Sequence, residues 1–437
     1  MNVINTPLLQ DYVTAAAALP GAGDKRITAL RADAAASYRS VGLPNPKIEA
    51  WKYTRLKDLE ALPFSRAEAS ALVPDTVEGS GLAALSARIV LVDGRFVPEL
   101  SVLPTQAGVS VASLRSCLEA GEAAVVAILD RDVDFSQAPL AALASAYLDD
   151  GAVLKVEDGV SVSKPIEVVA FSSTDPATPR IAFPRLVVSL GKGAELTLVE
   201  SFSGPALGVY AVDAVTDIAM AEGAKLKHYV LQAEGRDATH VSTGRCDLPK
   251  DARYEGFILQ LGGKVSRHEM RLRMLGEGSD AKLNGAYAAK GDAICDTTTQ
   301  VDHIAAETTT DQVFKGILDG KSKGIYQGKV HVFRDAQRII GNQMHNALLL
   351  SRAAEVDCKP ELEIYADDVK CSHGATCGEL SDEQVFYLRS RGVDAVTARA
   401  MLLEAFLGET FAMISDEAVS AAFAAKASAW LDERERA

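Results

Sequence analysis

Several common protein classes are excluded by what this chain lacks. Lysine and arginine number 45 against 59 aspartates and glutamates, a net charge of −14. No block of basic residues offers a path for a phosphate backbone, which argues against a nucleic-acid partner. No apolar run approaches the ~18 residues that a membrane-spanning helix needs. The first basic residue is Lys25, so the basic start of a secretory signal is missing and a cytoplasmic protein is expected. Six cysteines, at 117, 246, 295, 358, 371 and 377, are too few and too scattered for a disulfide framework in 437 residues. Reduced thiols are expected. Cys117, Cys246 and Cys295 have no partner nearby in sequence and read as structural.

What is present is ample material for a core, with 48% hydrophobic residues. Residues 1–150 are Ala-rich, with helical candidates at 7–19, 24–40, 111–121 and 136–148, and read as a mostly helical N-terminal domain. From Gly151 the pattern changes to short alternating runs such as Glu195-Leu196-Thr197-Leu198-Val199 and Leu226-Lys227-His228-Tyr229-Val230, which predict strands. Turn motifs recur at Gly193, Gly223, Asp251 and Asp280, a period within the 20–50 residues typical of solenoids. No helical pattern separates these strands, so 151–378 reads as a β-helix core, with a β-sandwich as the alternative. After Cys377 the helical period returns, giving a small C-terminal helical domain over 379–437. Ser381-Asp382-Glu383-Gln384 is a capping box for its first helix, Asp394 caps a second running to about Leu407, and a third covers 416–435. As a terminal cap on a solenoid, this tail is expected to be separable from the core.

Some motifs resemble catalytic ones and fail on spacing. Gly316-Ile317-Leu318-Asp319-Gly320-Lys321-Ser322 has three residues between its glycines where a phosphate-binding loop has four. It also leads into the strand-like Ile325–Val330 rather than a helix, so no nucleotide is expected on this chain. His268-Glu269 lacks the second histidine of a zincin, and Gly191-Lys192-Gly193 lacks the third glycine of a dinucleotide fold.

The chemically suggestive stretch is Cys371-Ser372-His373. In a strand, residues two apart share a face, so a thiol and an imidazole would point into one space. Thiolate suits iron-sulfur clusters and zinc, and imidazole suits zinc and iron. With Cys358 and Cys377 the pair would make four zinc ligands, although from extended segments without the usual knuckle. A third reading, a polysaccharide-active β-helix enzyme, has only Asp367-Asp368 as an adjacent carboxylate pair, and strand geometry would point these to opposite faces.

The run from Lys359 to Thr376 is similar to the signature of the SufD branch of the SufB/SufD family, scaffold subunits of the SUF iron-sulfur cluster assembly system. Glu49-Ala50-Trp51-Lys52-Tyr53-Thr54, Val92-Asp93-Gly94-Arg95-Phe96 and Glu383–Val393 resemble the same family. The resemblance implies a right-handed parallel β-helix and a non-catalytic scaffold. It implies pairing with SufB through the β-helix and docking of the SufC ATPase on the C-terminal helices, where Phe386, Tyr387 and Arg389 are candidates. It also implies a transient iron-sulfur cluster shared with SufB, with His373 and Cys371 as metal-binding and interface groups. The SufB run that carries its scaffold cysteine corresponds here to Gln343–Leu348, with His345 in the thiol's place, so this chain is not expected to carry a cluster alone. Cluster type, sulfur donor, participation of a reduced flavin, and a homodimer in the absence of SufB are left open.

Overall fold

The computed structural model describes residues 7–67, 77, 82, 87–131, 135–175 and 177–436. Its core is a β-solenoid of about eight turns. From Arg185 onward, strands that follow one another in sequence alternate between two sheets, and each one short of the C-terminal edge hydrogen-bonds to the strand one coil earlier and one coil later. From its C-terminal edge the first sheet runs Glu355–Ile364, Lys323–Val332, Ile294–His303, Val265–Met274, Thr239–Leu248 and Tyr210–Met220, and continues to Val109–Ser113. The second runs Val369–Gly378, Ile339–Leu349, Thr309–Leu318, Asp280–Ala289, Arg253–Gln260 and Lys225–Gln232, and continues to Ala87–Val92 and Arg95–Phe96. Pairing between coils is parallel throughout these two C-terminal series.

The turn into each second-sheet strand explains the periodicity. Gly193, Gly223, Asp251 and Gly278 all have positive φ, at 63°, 69°, 57° and 72°, and Glu307 and Arg338 continue the series. Glycine meets this backbone demand at no steric cost, and aspartate tolerates it. The fourth turn is therefore centred on Gly278 rather than on Asp280. Arg253 pairs with Asp280, not with the Lys282 that the sequence motif would align with it.

Alternation sorts each strand's side chains between the lumen and the outside. Leu196, Leu226, Tyr254 and Ala281 stack in register inside the solenoid and are all buried. Outward residues of the second sheet, including Tyr229, Phe257, Leu259 and Ile317, form a separate core with Leu403, Leu407, Phe411, Phe423 and Trp430 of the C-terminal helices. Those helices span Asp382–Ser390, Ala395–Phe411 and Glu417–Arg436. The second one passes through Gly408, because burial of Leu407 and Phe411 on the sheet outweighs the ~1 kcal/mol cost of a helical glycine. This packing corrects the expected separability: removing 381–437 would uncover the apolar outer face of a sheet.

The N-terminal helices are Tyr12–Ala18, Lys25–Val41, Leu114–Glu119 and Pro139–Ala146, with Lys57–Ala61 and Ala123–Leu129 additions to those read from sequence. The candidate at 111–121 starts instead as strand Val109–Ser113, which pairs antiparallel with Ala152–Val156. Its neighbour Ala87–Val92 joins the second sheet. At its N-terminal end the solenoid is thus closed over by additional strands and helices.

A strap made from the Glu49–Thr54 motif runs along the outside of the first sheet. Trp51 lies on the Arg267 guanidinium, 4.2 Å from ring centre to Cζ. The Thr54 hydroxyl donates to Asp296, Gln327 donates to the Ala50 carbonyl at 3.0 Å, and Lys359 pairs with Glu49 at 2.5 Å. Arg267 is fully buried between Asp296 and Glu269. Asp296→Ala would leave that guanidinium without its main counter-charge, a change that typically costs ~3–5 kcal/mol. Urea unfolding of this variant is expected to show a loss of that order, and a loss below ~1 kcal/mol would mean that the strap is not anchored there.

Candidate functional site

Whereas the N-terminal end of the solenoid is covered, the C-terminal end is open. Strands Glu355–Ile364 and Val369–Gly378 are the edges of their sheets, each paired on one side only among the described residues. Val369–Gly378 is exposed along most of its length, unlike the largely buried strands of the middle coils. A long, uncapped edge is a template for pairing with another chain, and native proteins blunt such edges unless they are used. Outward residues near this end add exposed apolar surface at Ile340, Met344 and Tyr365.

Cys371 and His373 both lie inside this last strand. Cys371 pairs in register with Gly341 and His373 with Gln343; Ala375 and Cys377 follow over His345 and Ala347. Since Gly341, Gln343, His345 and Ala347 are the buried, inward positions of their strand, Cys371, His373 and Cys377 belong to the inner face. Cys371 is half-buried and packs beside Val330, Ile339 and Ala366; a Cβ at Gly341 would lie 3.4 Å from its sulfur. Cys358 sits across the lumen in register with Tyr326. The four candidate ligands thus rim one opening. Among the described residues, however, no group of three or more His, Cys, Asp or Glu side chains is close enough to hold a metal ion, so this chain does not itself present the zinc tetrahedron.

Of the seven histidines, five are buried, His331 is half-buried and His373 alone is exposed. The buried ones have structural partners. His268 Nδ1 lies 2.7 Å from the Ser242 hydroxyl and burial holds its pKa down to about 3. His345 is stacked between Tyr287 and Tyr326, its Nε2 3.0 Å from the Tyr287 hydroxyl, and burial lowers its pKa to about 4. His345 is therefore a neutral interior residue. The thiols divide in the same way: burial raises Cys246 well above its usual range and Cys295 to about 12, while at the opening it raises Cys358 to about 11 and Cys371 upward to a lesser degree.

Asp367 and Asp368 occupy the turn between the two edge strands, not a strand, and both are exposed. Gly316 lies inside a strand that ends at Leu318, and Asp319–Ser322 is the turn into Lys323–Val332, so the near-phosphate-loop is a strand end and a solenoid corner. Asp93-Gly94 forms the two-residue turn of a hairpin, with φ of 52° and 81°, the geometry this dipeptide favours.

A second exposed feature is the helix Asp382–Ser390. Ser381 caps it, accepting from the Gln384 amide, and Val385 is its buried residue. Phe386 and Tyr387 are 73% and 58% exposed, Arg389 is also exposed, and Arg391 lies over the Tyr387 ring. These side chains do not pack on the β-core.

Comparison with known proteins identifies the family. The family described as "SUF system FeS cluster assembly, SufBD core domain" matches residues 171–406, and "SufBD protein N-terminal region" matches 4–168. The chain belongs to the SufBD family of iron-sulfur cluster assembly proteins. It is 33% identical to the iron-sulfur cluster assembly protein SufD of Escherichia coli over 380 residues, 86% of each chain. It is 31% identical to an iron-sulfur cluster assembly SufBD family protein of Synechocystis over 403 residues, 90% of this chain and 88% of the relative. No helix among the described residues is long and apolar enough to cross a membrane.

Sequence reasoning passed over Gln343 as a functional residue. The turn period carried forward three more coils from Asp280 brings the strands of Gln343 and His373 together, but the exact register, with Gln343 beside His373, is set by a longer coil that the period does not show. Thiol labelling provides a check on the site: Cys358, Cys371 and Cys377 are expected to react in the folded chain, with Cys117, Cys246 and Cys295 protected until denaturation. Because the thiolate reacts, labelling of Cys358 should keep accelerating as pH rises toward about 11. A plateau below pH 9 would contradict its burial.

Proposed function

We propose that this chain is a non-catalytic scaffold subunit that joins SufB through the open end of its solenoid and holds a nascent iron-sulfur cluster between the two chains. The carrying observation is the pairing of an uncapped edge with the only exposed histidine among the described residues. His373 supplies a nitrogen donor and Cys371 a sulfur donor on the inner face of the last coil. The Cys371 thiol stays protonated until a metal displaces its proton, since a bound cation reverses the effect of burial on a thiol. With the remaining ligands coming from SufB, the cluster is cargo: it forms where two chains meet and can leave when they separate.

The exposed helix Asp382–Ser390 is the docking surface for the SufC ATPase in this reading. Phe386 and Tyr387 are aromatic anchors beside Arg389, the residue types that dominate interface energetics. Replacing Phe386 and Tyr387 together by Asp is expected to weaken SufC binding by ~2 kcal/mol or more without lowering the melting temperature, as neither supports the core. Unchanged binding in a titration would remove this surface from the proposal.

The test of the cluster role is His373→Ala expressed with SufB and SufC, measuring complex yield, melting temperature, iron and sulfide together. Yield and melting temperature are expected to be unchanged, while iron and sulfide fall by about tenfold or more. An unstable subunit, or full iron loading, would overturn the reading.

A further inference from the structure

We propose that Gln343 positions His373, accepting a hydrogen bond from its Nδ1–H and so turning Nε2 outward beyond the last coil; this rests on the reading of His373 as a cluster ligand. Gln343 and His373 are in register on adjacent strands, both on the inner face, at the ~4.8 Å spacing of neighbouring strands. Gln343 is 2% exposed, yet neither its Oε1 nor its Nε2 has a hydrogen-bond partner among the described residues. A buried amide left in this state costs free energy, so its persistence needs a partner that the isolated conformation does not supply.

The neighbours narrow the choice. Gln312, in register below Gln343, uses its Oε1 to accept from the Thr299 hydroxyl at 2.7 Å. On the facing sheet stands Gly328, where a Cβ would come 3.1 Å from Gln343 Nε2 and 2.5 Å from the Tyr326 hydroxyl oxygen. The glycine keeps open the space that the amide nitrogen faces. Gln312 Nε2 below is also without a partner among the described residues and can donate to one lone pair of Oε1; the second lone pair is left for the strand above, where the register places an imidazole. A metal-binding histidine commonly donates its other ring N–H to an oxygen acceptor, which fixes tautomer and ring orientation. Rotation of the exposed His373 ring onto Gln343 would satisfy both requirements at once.

The tautomer of His373 can be read by nitrogen NMR on the full-length chain labelled at histidine, with no cluster present. Free neutral imidazole favours Nε2–H. The expected result is an Nδ1–H tautomer in the parent chain, its loss in Gln343→Leu, and its retention in Gln343→Glu, which keeps an acceptor. Gln343→Leu should not lower the melting temperature, whereas a purely structural amide would be missed. In the complex with the partner scaffold and ATPase, iron content should fall several-fold in Gln343→Leu and recover in Gln343→Glu. An Nε2–H tautomer in the parent chain, or one indifferent to Gln343→Leu, overturns the inference and leaves the cluster role of His373 standing. Full iron loading of His373→Ala removes that role independently of the tautomer.

Discussion

Each coil of this solenoid is stable because another coil lies against it. In-register parallel pairing carries the backbone hydrogen bonds, and stacking of like positions buries the lumen side chains, so no coil can satisfy itself alone. The two ends must therefore be treated differently from the middle. At the N-terminal end, extra strands and helices complete the stack. At the C-terminal end nothing among the described residues does, and the groups left incomplete there are a free strand edge, a half-buried cysteine, an exposed histidine and a buried glutamine without partners among those residues. An uncapped end of a repeating structure is a template onto which another chain can pair.

The polar lumen fits the same logic. Interior histidines are each held by a polar partner, as His303 is by Thr308 and Thr310 and His228 by Tyr254 and Glu200. A matched interior group is held by its partners and is unavailable for chemistry. His240 Nε2, Gln312 Nε2 and the Tyr326 hydroxyl are also unmatched among the described residues, but Gln343 lacks a partner at both amide atoms and lies one strand from the edge. The outer faces serve other purposes: the N-terminal strap locks one sheet and the C-terminal helices cover the other.

Much of this was legible in the sequence. The solenoid could be read because its turns demand a left-handed residue once per coil, and Gly193, Gly223 and Asp251 advertise that demand. The reading slipped at Asp280, where the conformation belongs to Gly278, and it could not see Glu307 or Arg338, which adopt the same backbone without being turn-type residues. Helix caps at Ser381 and Asp394 were visible because they are local. The strands Ala87–Val92 and Val109–Ser113 were absorbed into a helical segment, since their partners lie far along the chain. The Cys-x-His pair could be assigned a common face, but not a place at the open end. That depends on which coil is last.

The strap has a consequence for how the molecule is made. Glu49 and Lys359, its outermost contact, are 310 residues apart in sequence, so the strap cannot be fastened until nearly the whole solenoid has been synthesised and wound. Coils can add one upon another with local closure, whereas this contact closes a loop of most of the chain and belongs to the slow part of folding. Its Trp51 must wait for Arg267, Asp296 and the edge strand to arrive in turn. The strap is thus a late fastener: its closure reports that every coil between the first and the last has found its register.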